Sequence, residues 1–482
     1  MTGTKPSRIA GPYLALIATS IAGLLCLWTA WCEFPIYSWN EARLVPAFAL
    51  RDGLNPYPLL GGGPLLTWIY GPVGILINLP ATFATSAAGA LHVASLVNFV
   101  VLFLPLALIF FGSADLRTRS RSVRWFALTV AVLLIPRPNL VLQVADHAAI
   151  AFGLLSCWWL VRNPRPDRSQ LVIAALACTL AIWSKQVAVF LCGAQIAYLL
   201  MTDNRAAVPK YLLWLAVFNF AALGISVRAF GWSNLWLNLV AIPGRLPWTD
   251  DLLARITMRP WALLAQIALP CAGLVWLRVT GRWPGRNSES GRFFLITVLA
   301  FAVMLPVGFA AFFKIGGDTN LFHSWDYLLP GLLLAWLAAE KGSKAAHYRA
   351  LGVAAIAIAL RWHDVISFPT KPFTGHFDAA DQLMTTHPHR IWFPRNPLIT
   401  YYADGKLWHS EDGVQTRFLA NYGLREADFR RHLPPHLEGI AYPAVIEFPF
   451  SMPLLSEFNR EIRDRFWTLH VRSAPAPDKA QK

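Results

Sequence analysis

The residues that could do chemistry are few, and they stand where long apolar runs break. Glu41 lies in Trp39-Asn40-Glu41-Ala42-Arg43, downstream of the first apolar run. Asp146 and His147 open the segment 148–160, just after a turn holding Pro136 and Pro138. Lys185-Gln186 interrupts an otherwise apolar stretch from 170 to 201. Lys314-Ile-Gly316-Gly317-Asp318-Thr-Asn320, followed by His323, joins two further runs. A carboxylate at a membrane surface can take the proton that a hydroxyl loses as its oxygen attacks carbon. A lysine beside two glycines suits a phosphate, because the backbone amides approach closely and the ammonium stabilises charge on a leaving oxygen. An ionisable group inside an apolar run is expensive to hold, which makes Lys185 a functional suspect.

Each residue also has a plainer explanation. Glu41 is equally a solvated loop acid paired with Arg43 or Arg51. Asp146 at a helix start also caps orphan amides, a role compatible with catalysis. Lys185 can snorkel from a tight turn. Gly316 and Gly317 fit an ordinary turn with a capping Asp318. Trp232, Trp236, Trp248 and Trp261, with Arg245, Arg255 and Arg259, mark the segment 231–260 as a set of interfacial anchors or as a lid over a substrate. The histidines after residue 375 lack metal-ligand spacing.

The elements that must carry these groups follow from composition. At 56% hydrophobic and 14% charged over 482 residues, the chain needs the bilayer as its main solvent. Its net charge of +15 does not indicate nucleic acid, because the arginines fall in short clusters between apolar runs. The six cysteines lie in or beside apolar segments and outline no disulfide framework. Spans are expected at 12–31, 89–111, 211–229, 261–277, 293–313, 324–339 and 348–366. The stretch 170–201 would make a helix of about 48 Å, too long for a hydrocarbon core of about 30 Å, so a hairpin turning at Lys185 is expected. Likewise 125–161 splits into one helix before the prolines and one after Asp146. Gly71, Pro72, Gly74 and Pro80 break the segment 65–83. Laying that segment along the interface puts every later arginine cluster on one face and gives about eleven spans, N-terminus inside and C-terminus outside. From residue 367 the composition turns soluble. Strands are expected at 390–393, 444–448 and 466–471, and helices at 377–386 and 453–464, which together make a small α/β domain.

The first external loop, 32–86, continues with Asp52-Gly53-Leu-Asn-Pro56-Tyr57 and Trp68-Ile-Tyr70-Gly71-Pro72. Here the sequence resembles the GT-C superfamily of membrane glycosyltransferases, the polyprenyl-phosphate-sugar-dependent group that includes protein mannosyltransferases and the aminoarabinose transferase. That group carries an acidic pair in this loop, then a small-residue helix, a Gly and a Pro-Tyr, and then an interfacial segment. Glu41 matches the second acid of the pair, and Asn40 replaces the first. The Lys314 stretch is similar to the Lys-x-Gly-Gly-x-x-Asn found late in many such chains, and Asp146 and Lys185-Gln186 have counterparts there. The resemblance covers roughly residues 30–330 and implies a multi-pass bacterial inner-membrane protein with its C-terminal domain periplasmic. It implies inverting transfer of a sugar from a polyprenyl-phosphate carrier to an unidentified glycan, lipid or protein acceptor. Glu41 and Asp146 would be catalytic. Lys314, Gly316, Gly317, Asp318, Asn320, Lys185, Gln186, Tyr57 and His147 would hold the donor. No metal is obligatory, and a divalent ion is optional. A transporter or flippase of a lipid-linked or anionic solute is the alternative, disfavoured by the lack of internal repeats and by candidates gathered at one face.

Overall fold

The structure, a computed structural model, describes residues 21, 39–66, 68–117, 121–134, 145–258, 263, 267–317, 322–339, 375–444 and 455–472. It is a helical bundle capped at one end by short helices and a small α/β domain. Three of the described helices, Ala87–Gly112, Ala207–Phe230 and Glu289–Phe312, are long and apolar enough to cross a membrane. Shorter apolar helices run Arg121–Leu134, Asp146–Val161, Arg168–Ser184, Leu191–Met201, Leu269–Val279 and His323–Ala339. The expected spans 12–31 and 348–366, and part of 261–277, lie outside the described residues, so the count of eleven is not established.

The expected breaks occur where the chemistry placed them. The helix Arg168–Ser184 begins with a capping box of Asp167 and Gln170 and ends at Lys185, whose φ of −148° and ψ of 126° are extended. A 3-10 turn, Gln186–Phe190, then leads back into Leu191–Met201. The hairpin returns to its starting face, where Asn204 Nδ2 donates to the Pro164 carbonyl at 2.9 Å. Within the bundle, Gln195 Nε2 donates to Ser156 Oγ at 2.6 Å, and Ser156 Oγ donates to the Ala174 carbonyl at 2.7 Å. Tyr211 Oη donates to Gln195 Oε1. Such interhelical bonds stitch membrane helices where apolar packing alone gives no preference. The segment 65–83 forms only the 6-residue helix Pro72–Ile77 and the 5-residue 3-10 helix Leu79–Phe83, neither of which is long enough to span.

The bundle has two distinct ends. At one, Arg292 donates from Nε to the Val161 carbonyl at 2.8 Å and from Nη2 to that of Arg162 at 2.9 Å, capping a helix C-terminus. Glu289 accepts from Ala114 N at 2.8 Å and Trp158 Nε1 at 3.0 Å. Asp115 accepts from Ser290 N at 2.7 Å. The loops bearing Arg117, Arg162, Arg165, Arg168, Arg286 and Arg292 therefore share one end, as the charge pattern requires.

The C-terminal domain holds a four-stranded sheet of order β1-β2-β4-β3, with β1 Ile391–Trp392, β2 Gly439–Pro443, β3 Arg460–Arg463 and β4 Trp467–Val471. The β1–β2 pair is parallel and the other pairs antiparallel. The helix expected at 377–386 forms as Gly375–Thr386. The strand expected at 444–448 lies, but for Ala444, outside the described residues, and β2 at Gly439–Pro443 was not expected. One expectation is corrected. The helix placed at 453–464 is instead a turn and the edge strand β3, because Arg460–Arg463 pairs residue by residue with β4 and leaves all four side chains exposed. Helices Pro397–Asp404, Glu411–Leu419 and Glu426–Arg430 had no counterpart in the sequence reading.

This domain is seated on the first loop. Leu65 N donates to His409 Nδ1 at 2.7 Å, Ser410 N donates to the Leu65 carbonyl at 3.0 Å, and Tyr402 Oη donates to that of Ala84 at 2.8 Å. Arg51 donates to Tyr401 Oη, which itself donates to Asp52 Oδ2 at 2.8 Å.

Candidate active site

At the capped end of the bundle, three ionisable side chains from three helix ends meet. Lys185 Nζ donates to Asp146 Oδ1, and His323 Nε2 meets the same oxygen. All three residues are buried. Asp146 stands at the first position of Asp146–Val161 and His323 at the first position of His323–Ala339, so each is presented where a helix begins. Packing fixes their register. Tyr327, one turn after His323, lies against Gly153 and donates to the Ala149 carbonyl at 3.2 Å, and a Cβ at Gly153 would overlap its phenol. The two helices thus run side by side with their first residues level.

The broken segment closes the site from the side. Lys185 Nζ lies 5.3 Å from the Tyr70 ring centroid, a cation–π contact. Gly71 makes this approach possible, since a Cβ there would collide with the Trp183 backbone carbonyl. Tyr57 Oη donates to the Tyr70 carbonyl at 2.9 Å, and Trp68 Nε1 to that of Gly71 at 3.0 Å. Gln186 Nε2 donates to the carbonyls of Ile69 at 2.7 Å and Leu239 at 3.1 Å. His147 is buried beside Asp146. Tyr57, the pair Asp146-His147 and the pair Lys185-Gln186, three separate stretches of the sequence, therefore lie in one neighbourhood.

Two other groups of candidate residues are engaged elsewhere. Glu41 is fully buried under the C-terminal domain, where Oε1 accepts from Asn396 Nδ2 at 2.8 Å and Oε2 from Leu398 N at 3.0 Å. It thereby caps the Pro397–Asp404 helix from another part of the chain. Burial raises its pKa from 4.5 to about 8, against the lowering effect of the bonds from Asn396, Leu398 and Ile399. Lys314 Nζ donates to the Pro243 carbonyl at 3.0 Å and lies 5.6 Å from the Trp248 ring. Arg255 donates to the carbonyls of Phe312, Lys314 and Gly317, holding the exit of Glu289–Phe312 against the 243–258 loop. Gly316, at φ +86°, makes the turn. Asp318 and Asn320 lie outside the described residues. Among the described residues, no three His, Cys, Asp or Glu side chains gather as a metal set.

The sequence named His323 only as a neighbour of the glycine turn and gave no role to Tyr70. Both could have been suspected as polar or aromatic residues beside breaks on the same predicted face.

A comparison with solved structures finds this architecture in ArnT from Cupriavidus metallidurans bound to undecaprenyl phosphate. The TM-score is 0.51 at 13% identity, over 98% of this chain and 100% of that one. AglB from Archaeoglobus fulgidus, an archaeal oligosaccharyltransferase in complex with an inhibitory peptide and a dolichol-phosphate, gives 0.46 at 10% identity, over 92% and 70%. No family model and no curated protein matches the chain. At such identities the likeness concerns the fold alone: the chain has a membrane fold like that of ArnT.

Proposed function

We propose that this protein is a glycosyltransferase that takes a sugar from a polyprenyl-phosphate carrier and passes it, with inversion, to an acceptor at the external face of a bacterial inner membrane. The observation that carries this reading is the buried Lys185–Asp146–His323 cluster at the end of the bundle remote from the arginine loops. That sorting supports a cytoplasmic N-terminus and a periplasmic C-terminal domain.

Lys185 has three N–H donors and gives one to Asp146, so the same ammonium can also hold a carrier phosphate. Asp146 takes the proton of the acceptor hydroxyl as its oxygen bonds to the anomeric carbon. The bond from that carbon to the phosphate oxygen breaks, and its electron pair leaves with the phosphate beside Lys185. Attack opposite the leaving group inverts the centre, so one base suffices. His323 orients the Asp146 carboxylate, and Tyr70, fixed by Tyr57, walls the ammonium. Glu41 in this scheme holds the C-terminal domain in place, and Lys314 with Gly316 and Gly317 anchors the 243–258 loop.

Purified protein incubated with polyprenyl-phosphate sugars and candidate acceptors should release the carrier phosphate. Asp146→Asn should lower that rate by about 100-fold or more, the usual range for a general base. Translocation of the intact lipid without cleavage would establish a flippase and overturn the proposal.

A further inference from the structure

The C-terminal domain carries a charge that stability alone does not explain. Arg417, on the helix Glu411–Leu419, is 0% exposed. Its Nη1 donates to the Gly413 carbonyl at 3.0 Å and its Nη2 to Asn238 Oδ1 at 2.7 Å, while Nε has no hydrogen-bond partner. Among the described residues no carboxylate forms an ion pair with it. Burial lowers its pKa, outweighing Asp412, which acts on it through space; a buried guanidinium without a contacting carboxylate is costly to maintain, and apolar residues of similar volume often serve a fold as well or better.

What Arg417 holds is the link to the cluster. Asn238, itself 0% exposed, sits in a single π-helical turn, Leu237–Ala241, an irregularity frequent at functional sites. Its Nδ2 donates to the Asn234 carbonyl at 2.8 Å and to that of Pro58 at 3.3 Å. The next carbonyl along, that of Leu239, accepts from Gln186 Nε2 at 3.1 Å. Gln186 also holds the Ile69 carbonyl at 2.7 Å, directly before Tyr70, and it directly follows Lys185. Two hydrogen bonds joined by the π-turn therefore run from Arg417 through Asn238 and Leu239 to Gln186, and so to both Lys185 and the Tyr70 backbone.

We propose that Arg417 is a positioning residue for the carrier phosphate: by pinning the π-turn it fixes the Lys185–Gln186 corner in the orientation that binds the donor. The C-terminal domain thus acts on the donor side of the reaction, and the π-turn is the element through which its seating reaches the ammonium. This inference rests on the reading of Lys185 as the phosphate ligand.

The test uses the full chain in detergent or nanodiscs, with undecaprenyl phosphate as the probe. Arg417→Met should fold with a Tm at or near that of the wild type, yet bind the probe about tenfold more weakly, within the range of measured positional couplings. Arg417→Lys, which restores one donor to Asn238, should recover part of the affinity. Gln186→Ala should weaken binding on its own and add little in the Arg417→Met background, because both act through one path. The double variant Arg417→Met/Asn238→Leu, which leaves no orphaned acceptor at that contact, should keep the Tm and the binding defect. Hydrogen exchange should rise at residues 184–190 in Arg417→Met while strand β2 stays protected. Wild-type affinity in a folded Arg417→Met, or unchanged exchange at 184–190, would overturn the inference. Failure of the wild type to bind the probe would instead sink the proposed function, and the exchange measurement would still decide whether Arg417 holds the corner.

Discussion

Glu41 offers the sharpest test of how the two parts of the chain are joined. Its two oxygens are occupied by Asn396 Nδ2 and Leu398 N, and all three residues are buried. Glu41→Ala would leave those donors without an acceptor, at about 1–3 kcal/mol each, so docking of the C-terminal domain should weaken by roughly 2–6 kcal/mol. Glu41→Gln should cost much less. Its carbonyl can accept from Leu398 N, and its amide can donate to Asn396 Oδ1, which has no partner here, once the Asn396 amide turns over. The pH dependence follows with a definite sign. Burial raises the folded pKa of Glu41 from 4.5 to about 8, so the docked state holds an extra proton across that window. The stabilisation is complete below pH 4.5, falls as pH rises toward 8 by at most about 1.4 kcal/mol per unit, and then levels off. His409, at the same seam, is pushed down from 6.5 to about 3 by burial, so its contribution is complete above 6.5 and falls as pH drops toward 3. His376, His432 and His470 are shifted in the same direction. The opposing slopes of Glu41 and His409 offset one another between 4.5 and 6.5. Limited proteolysis of the seam, measured at intervals from about pH 4 to about pH 9, should give slowest cleavage inside that interval. Glu41→Gln should remove the alkaline limb alone. An alkaline limb that survives in Glu41→Gln, or a Glu41→Ala domain as well docked as the wild type, would refute the reasoning.

Other consequences follow from the same geometry. Lys185→Met should abolish carrier binding and, by leaving the buried Asp146 carboxylate without its lysine, lower stability by about 3–5 kcal/mol; isothermal titration with a polyprenyl phosphate would read the first and a thermal melt the second. Gly71→Ala should disrupt the site, because the new Cβ meets the Trp183 carbonyl, and quenching of Trp fluorescence near Trp68 and Trp183 would report the displacement. Glu289→Ala, at the opposite end, leaves Ala114 N and Trp158 Nε1 without their acceptor and should lower stability by roughly 2–4 kcal/mol without changing the affinity for the carrier. A stability loss confined to the active-site variants and absent at Glu289 would contradict the division into two ends.

Much of the architecture was legible in the sequence because the bilayer imposes simple constraints. Apolar length, prolines and the clustering of arginines gave the hairpin at Lys185, the split before Asp146, the broken segment 65–83 and the common end of the arginine loops. Each depends on local composition and on the thickness of one solvent. The same reading marked Asp146 and Lys185 as separate suspects, because a charge beside an apolar run is visible without a fold. It could not show that they pair, or that His323 completes the set, since that depends on the register of Tyr327 against Gly153 and on the close approach that Gly71 permits. Nor could it tell that Glu41 faces Asn396 and Leu398, residues more than three hundred positions away. In the C-terminal domain, where water replaces lipid and periodicity is short, the segment Arg460–Arg463 read as helix and became a strand because β4 offered it an edge. Local composition decided which residues leave the membrane; only tertiary packing decided which of them meet.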